Sequence, residues 1–194
     1  MKLKDIATIR TGLVTARKKA SLSDYETINY KTVTLKSFHP NGSLISDNLD
    51  TFIAKEPIKE TYLTQKDDVL IRLREPNIAL SIDTNNIGLI IPSFVASIKV
   101  DTTKITHKFL TYYLNSTITK KTLKSALSGT SIAMIKTKDL EDLTIHLPSL
   151  QEQNKIVTLL DLATHELELL EALKIQKESY YASLLENIIN KGDL

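Results

Sequence analysis

The chain contains no cysteine among its 194 residues. That excludes a disulfide framework and any thiolate metal site. Only five glycines and five prolines occur, which argues against a disordered or low-complexity chain. No apolar run nears the roughly 18 residues that a membrane span needs, and residues 1–5 lack the apolar core of a signal peptide. The expectation is a cytoplasmic protein with no membrane partner. Phosphate-cradling glycine loops of the G-x-G-x-x-G and G-x-x-x-x-G-K-[ST] types are missing. So is the G-x-S-x-G elbow of acyl transfer. His39, His107, His146 and His165 stand apart, without the paired spacing of metal ligands. Acidic pairs occur at Asp67-Asp68 and Glu141-Asp142, but no E-x-K triplet accompanies them. A metal-dependent nuclease uses such a segment to hold its ion and activate water. The pairs therefore read as turn and cap residues, and the chain reads as a binding module without cofactor or catalysis.

What is present is unevenly spread. The net charge is only +2, yet residues 1–145 carry 21 Lys and Arg against 15 Asp and Glu, while residues 146–194 carry 4 against 8. A basic body and an acidic tail are separate units. The body mixes periods, which predicts an α+β fold. Residues 3–9 read as a short helix or strand entry stopping near Gly12. Residues 30–35 alternate as a half-buried strand, and His39-Pro40-Asn41-Gly42 is a turn. Val69-Leu70-Ile71 predicts a buried strand, Asn85-Asn86 a turn, and residues 94–100 another strand. Phe109, Leu110, Tyr113 and Leu114 then repeat at helical spacing behind a Thr106 cap. A second helix over 117–127 carries Lys120, Lys121 and Lys124, and the polar loop 128–131 ends it. Leu143, Ile145 and Leu147 alternate as a last strand that halts at Pro148.

Several basic side chains in this body suit nucleic acid. Lys and Arg neutralise phosphates and release counterions. Arg pairs in bidentate fashion with guanine and Asn with adenine, so Arg10, Arg17, Arg72, Arg74, Asn29, Asn41 and Asn85 have the right chemistry. The expected DNA-binding set is Arg17, Lys18, Lys19, Arg72, Arg74, Thr130, Ser131 and Lys136. Taken singly, each is also compatible with an ordinary solvated surface position.

The tail is the clearest element. Ser149 and Glu152 form a capping box after Pro148, and neither Pro nor Gly follows until Gly192. A helix of about 40 residues is predicted, roughly 60 Å long. Its apolar residues step by four and three: Ile156, Leu160, Ala163, Leu167, Leu170, then Tyr181, Leu184 and Ile188, with Lys174 and Lys177 interrupting. A stripe this long outruns a small body and calls for a partner helix.

At the junction the run Leu147-Pro148-Ser149-Leu150-Gln151-Glu152-Gln153-Asn154-Lys155-Ile156-Val157, with Leu160 after it, resembles the P-L-P-x-x-E-Q-x-K-I-V-x-x-L segment of type I restriction-modification DNA specificity subunits. Leu3-Lys4-Asp5-Ile6-Ala7 with Gly12 is similar to that family's opening. Lys66-Asp67-Asp68-Val69-Leu70-Ile71 is similar to its G-D-V-L-I strand, with Asp67 standing where the family has Gly. Residues 109–116 match its helix, and Ser128-Gly129-Thr130-Ser131 with Ile132 and Ile135 its polar loop. The resemblance implies a target recognition domain over 1–148, with a small mixed or antiparallel sheet, and a conserved-region helix over 149–194. It implies one half of such a subunit, which pairs with a second copy as an antiparallel coiled coil. The homodimer then reads a bipartite, palindromic site on double-stranded DNA. Methyltransferase subunits, and restriction subunits in the restricting complex, are the implied partners. They supply the catalysis, S-adenosylmethionine and ATP. The alternative is a non-catalytic coiled-coil assembly module that binds methyltransferase subunits without reading DNA.

Overall fold

The structure is a computed structural model and describes residues 1–21, 26–126 and 134–191. The chain orders β1 (Ala7–Thr11), β2 (Ile28–Thr32), β3 (Asp50–Ala54), β4 (Val69–Arg72), β5 (Ala79–Ser81), β6 (Val95–Val100), α1 (His107–Asn115), α2 (Thr117–Ala126), α3 (Thr137–Glu141) and α4 (Leu150–Lys191). It is an α+β fold and forms two compact units, Met1–Asn154 and Lys155–Leu194.

The first unit is built on an antiparallel sheet in the order β1-β6-β4-β5. Every residue of β4 is buried, as a Val-Leu-Ile run covered on both faces requires. Helix α1 packs on β4 and β5, presenting Leu110 and Leu114, while α3 packs on β1. Leu70, Leu80 and Val95 join Val33, Phe38, Ile78, Ile82, Leu89 and Ile91 in one apolar cluster. A separate pair, β2 and β3, forms an antiparallel ribbon. It lies over a second cluster of Leu13, Phe52, Ala54, Ile58 and Ile90.

Local chemistry explains the bends. Gly42 sits at φ 89° in the expected turn, where the Gly42 N–H donates to the His39 carbonyl at 2.9 Å. A Cβ on Gly12 would lie 2.3 Å from the carbonyl oxygens of Ile91 and Pro92, so no larger residue fits there. Thr106 caps α1 as expected, accepting from the Phe109 N–H at 3.2 Å.

Two strands differ from expectation. The strand expected over 30–35 starts at Ile28 and stops at Thr32, because Thr34 caps the 3-10 turn Leu35–Ser37 and accepts from Lys36 N at 3.1 Å. Residues 143–147 form no strand. Their main chain pairs with residues 1–3, through Leu3 N to Leu143 O and Ile145 N to Met1 O, as an isolated bridge too short to extend a ladder.

The α4 helix starts where its sequence says it should. Glu152 Oε2 accepts from Ser149 N at 2.9 Å, and Ser149 Oγ accepts from Glu152 N at 3.3 Å. The Ser149 hydroxyl and N–H hold the Glu152 carboxyl below the usual range. Gln153, fully buried, ties this first turn to the approach of α1. Its Oε1 accepts from Thr106 N at 2.9 Å, while its Nε2 donates to Lys104 O at 2.9 Å and Pro148 O at 3.0 Å.

The second unit is the rest of this 42-residue helix. Among its large apolar residues, Leu167, Leu170, Tyr181 and Leu184 are exposed, Leu167 to 67%. No described helix is long and apolar enough to cross a membrane.

Candidate nucleic-acid interface

The β2–β3 ribbon has two unlike faces because side chains alternate along a strand. Tyr30, Phe52 and Ala54 turn towards the apolar cluster. Asn29, Lys31, Thr51 and Ile53 turn outwards and are exposed. They pair across the ladder as Asn29 with Ile53 and Lys31 with Thr51, and Lys31 Nζ donates to Thr51 Oγ1 at 3.1 Å. The ribbon is anchored from below, since the Tyr30 hydroxyl accepts from Ile58 N at 3.1 Å.

A third line of chain runs along β3. After the 3-10 turn Thr15–Arg17, Ala20 N donates to Ile53 O at 2.9 Å and Lys55 N donates to Lys18 O at 3.1 Å. Lys19 bridges to Ala54. Arg17, Lys18 and Lys19 are thereby fixed beside the ribbon. Arg17 and Lys19 are exposed. Lys18 is paired with Glu56, whose carboxyl is held low by the Lys18 hydrogen bond and charge. An open cleft of about 990 Å³ flanks the ribbon, lined by Thr15, Lys19, Thr34, Asp50, Thr51 and Phe94 among others. Its hydroxyls and its one lining cation, Lys19, suit a phosphate backbone and base edges.

A second basic group forms elsewhere on the first unit. Ile135 N donates to Leu73 O at 2.8 Å, and Arg74 bridges antiparallel to Met134. Lys124 Nζ lies 3.9 Å from Glu75 Oε1. Lys136 precedes α3, its N–H donating to Asp139 Oδ2 at 2.9 Å. The structure thus draws Arg74, Lys124 and Lys136 to the two ends of segment 127–133. Thr130 and Ser131 fall outside the described residues.

Arg72 is a correction. The expectation made it a base reader, but it is buried to 9% exposure. Its Nη1 and Nη2 donate to the carbonyls of Leu35 and Glu75, each at 3.3 Å, and its Nε is buried without a partner. Burial lowers its pKa. Arg72 therefore ties β4 to two turns, with its guanidinium spent on main-chain carbonyls. The adjacent sheet face carries Arg10 and Lys99 around Asp68, whose carboxyl is pushed up by burial. Asp68 accepts from Gln65 N at 2.9 Å, so it caps a turn. Among the described residues, no group of three or more His, Asp or Glu is placed to hold a metal.

Sequence reasoning missed the outer face of β3. Phe52-Ile53-Ala54 is an unbroken apolar run, and nothing in it marks Ile53 as outward. Only its pairing partner, the alternating 30–32 stretch, carried a signal.

Comparison with known proteins gives the same direction. Residues 1–178 match the model of the type I restriction modification DNA specificity domain. Among solved structures, one from work on complex assembly and conformational transition of the type I R-M system is 22% identical, with TM-score 0.68, covering 100% of this chain and 46% of the other. The HsdS subunit from Thermoanaerobacter tengcongensis is 24% identical, with TM-score 0.62, covering 100% of this chain and 45% of the other. The type I S subunit from M. genitalium is 18% identical, with TM-score 0.50 over 92% of this chain and 43% of the other. These likenesses show the fold, and the chain spans under half the length of each of these solved chains. No curated protein sequence matches it. With the family model spanning the body and most of the long helix, the chain belongs to the type I restriction modification DNA specificity domain family.

Proposed function

We propose that this chain is the DNA-reading specificity subunit of a type I restriction-modification system, and that it performs no chemistry itself. The observation that carries the reading is the β2–β3 ribbon, polar on its outer face and flanked by cations. A two-stranded ribbon fits the major groove. Asn29 and Thr51 meet base edges there, and Arg17, Lys19 and Lys31 grip phosphates, with Lys18 held in line by Glu56. Arg74, Lys136 and the segment with Thr130 and Ser131 form a second contact. The apolar seam of α4, from Ile156 through Ala163 and Leu170 to Ile188, joins two copies. Each copy reads one half of a bipartite, palindromic site. The pair of subunits places methyltransferase subunits, and restriction subunits where present, on the DNA.

Co-expression with the cognate methyltransferase, followed by genome-wide mapping of methylated adenine, tests this. The expected product is a single bipartite palindromic motif, lost in the Arg17→Glu, Lys19→Glu variant. Methylation without sequence preference would overturn the reading and leave an assembly module.

A further inference from the structure

The outer face of the β2–β3 ribbon carries one large apolar side chain, Ile53, in the company of Asn29, Lys31 and Thr51. Ile53 is 45% exposed. The size of its neighbours leaves it uncovered. On one side it faces Asn29 across the ladder. On the other, Ala20 N donates to Ile53 O at 2.9 Å, and alanine has nothing beyond Cβ to lay over it. Single exposed apolar residues are ordinary on protein surfaces, but the setting of this one is not. It lines the open cleft together with Lys19 and Thr51, and Arg17 and Lys31 stand exposed beside the same ribbon. A polyanion drawn to those cations meets an apolar contact among them.

In the major groove, the C5-methyl of thymine is the apolar group that a base edge offers. Asparagine suits the adenine edge, where it takes N6 and N7 together. Adenine and thymine share a base pair, so the two features lie side by side on the groove floor. Residues directly opposite on an antiparallel pair have Cβ atoms about 5 Å apart. The Asn29 and Ile53 couple therefore presents an amide and an apolar group within the width of one base-pair edge. We propose that Ile53 is a specificity residue, packing on the C5-methyl of the thymine whose paired adenine Asn29 holds. This rests on the DNA-reading function advanced above and adds the base pair read and the residue that selects its thymine. A G·C pair at that position sets cytosine against Ile53. Cytosine lacks the methyl and brings an amine donor, which is left unpaired.

The test uses the chain assembled with its methyltransferase, on duplexes carrying the motif found by methylation mapping. Deoxyuridine replaces each thymine in turn, in both half-sites at once, which deletes the methyl and keeps the base pair. At one position this should weaken binding about tenfold, since burying one methyl is worth about fourfold and two are lost. Ile53→Ala should weaken binding of the thymine duplex by a similar factor, and deoxyuridine there should then cost nothing further. Ile53→Val, which keeps the branch at Cβ, should retain most of the effect. Replacing the adenine opposite that thymine by 7-deazaadenine should weaken binding of the unmodified chain and leave Asn29→Ala unaffected. Deoxyuridine tolerated at every thymine, with the motif still preferred over unrelated duplex, would overturn the role of Ile53 and leave the DNA reading standing. An undiminished deoxyuridine loss in Ile53→Ala would overturn it equally. A 7-deazaadenine effect confined to another pair would overturn the shared base pair. No preference for the motif in the unmodified chain would sink the DNA reading itself.

Discussion

At Asp67 the backbone stands at φ 65°, a left-handed conformation rarely adopted by residues with a side chain. It is the position at which the G-D-V-L-I motif of the resembling family has glycine, so the departure in sequence marks a backbone demand that persists. Aspartate tolerates it because a short polar side chain suits this region. Its Oδ1 also lies 3.6 Å from His107 Nδ1. Asp67→Gly is therefore expected to unfold at the same denaturant concentration or higher, while Asp67→Val should lose about 2 kcal/mol. Equal stability of the two variants would show that the φ angle sets no constraint here. Arg72 teaches the complementary lesson. An arginine in a strand is chemically able to read guanine, and nothing in its neighbours' names reveals that its guanidinium is tied to the carbonyls of two turns. Burial of a long charged side chain depends on residues far away in sequence, here Leu35.

Among the elements, α4 was the most legible and its anchor the least. The Ser149 and Glu152 box, and the long breaker-free run, act within a few residues, so local pattern suffices. Gln153 lies inside the same junction, yet its role comes from Thr106 and Lys104, nearly fifty residues upstream. Its amide satisfies one N–H and two carbonyls that are otherwise left without those partners. Gln153→Leu keeps the volume and deletes all three bonds. The expected loss is about 3 kcal/mol, since orphaned polar groups each cost about 1–3 kcal/mol and the effects are not additive. Thermal unfolding of the full chain checks it, and a loss below about 1 kcal/mol would mean water replaces the amide. The shortest elements escaped the sequence for a related reason. β5 has three residues and α3 five, too few to show a period, and both owe their existence to the neighbours they pair or pack with. The 143–147 alternation shows the converse, a strand pattern without a partner strand.

For the whole molecule, the division of charge assigns the work. The second unit carries Asp161, Glu166, Glu168, Glu171, Glu178, Glu186 and Asp193 against four lysines, a balance that disfavours a polyanion. On the proposed reading, grip comes from the basic first unit, where Arg17, Lys19 and Lys31 stand exposed around the ribbon. Other lysines there are engaged away from it, such as Lys104, whose Nζ lies 3.0 Å from Asp101 Oδ2. The two groups separate in a salt titration. Each phosphate contact contributes about 0.9 to the slope of log affinity against log salt. Replacing Arg17, Lys19 and Lys31 by Gln should therefore shallow the slope by about 2.7 if each meets one phosphate. Lys104→Gln should leave it unchanged. The measurement belongs on the chain assembled with its methyltransferase, on duplexes with and without the methylated motif. A ribbon that grips backbone only would weaken both duplexes alike, whereas Asn29→Ala should weaken the specific duplex about tenfold or more and spare the other. A triple variant with an undiminished slope would move the contact surface to Arg74 and Lys136, because those cations flank the other polar segment of the same unit.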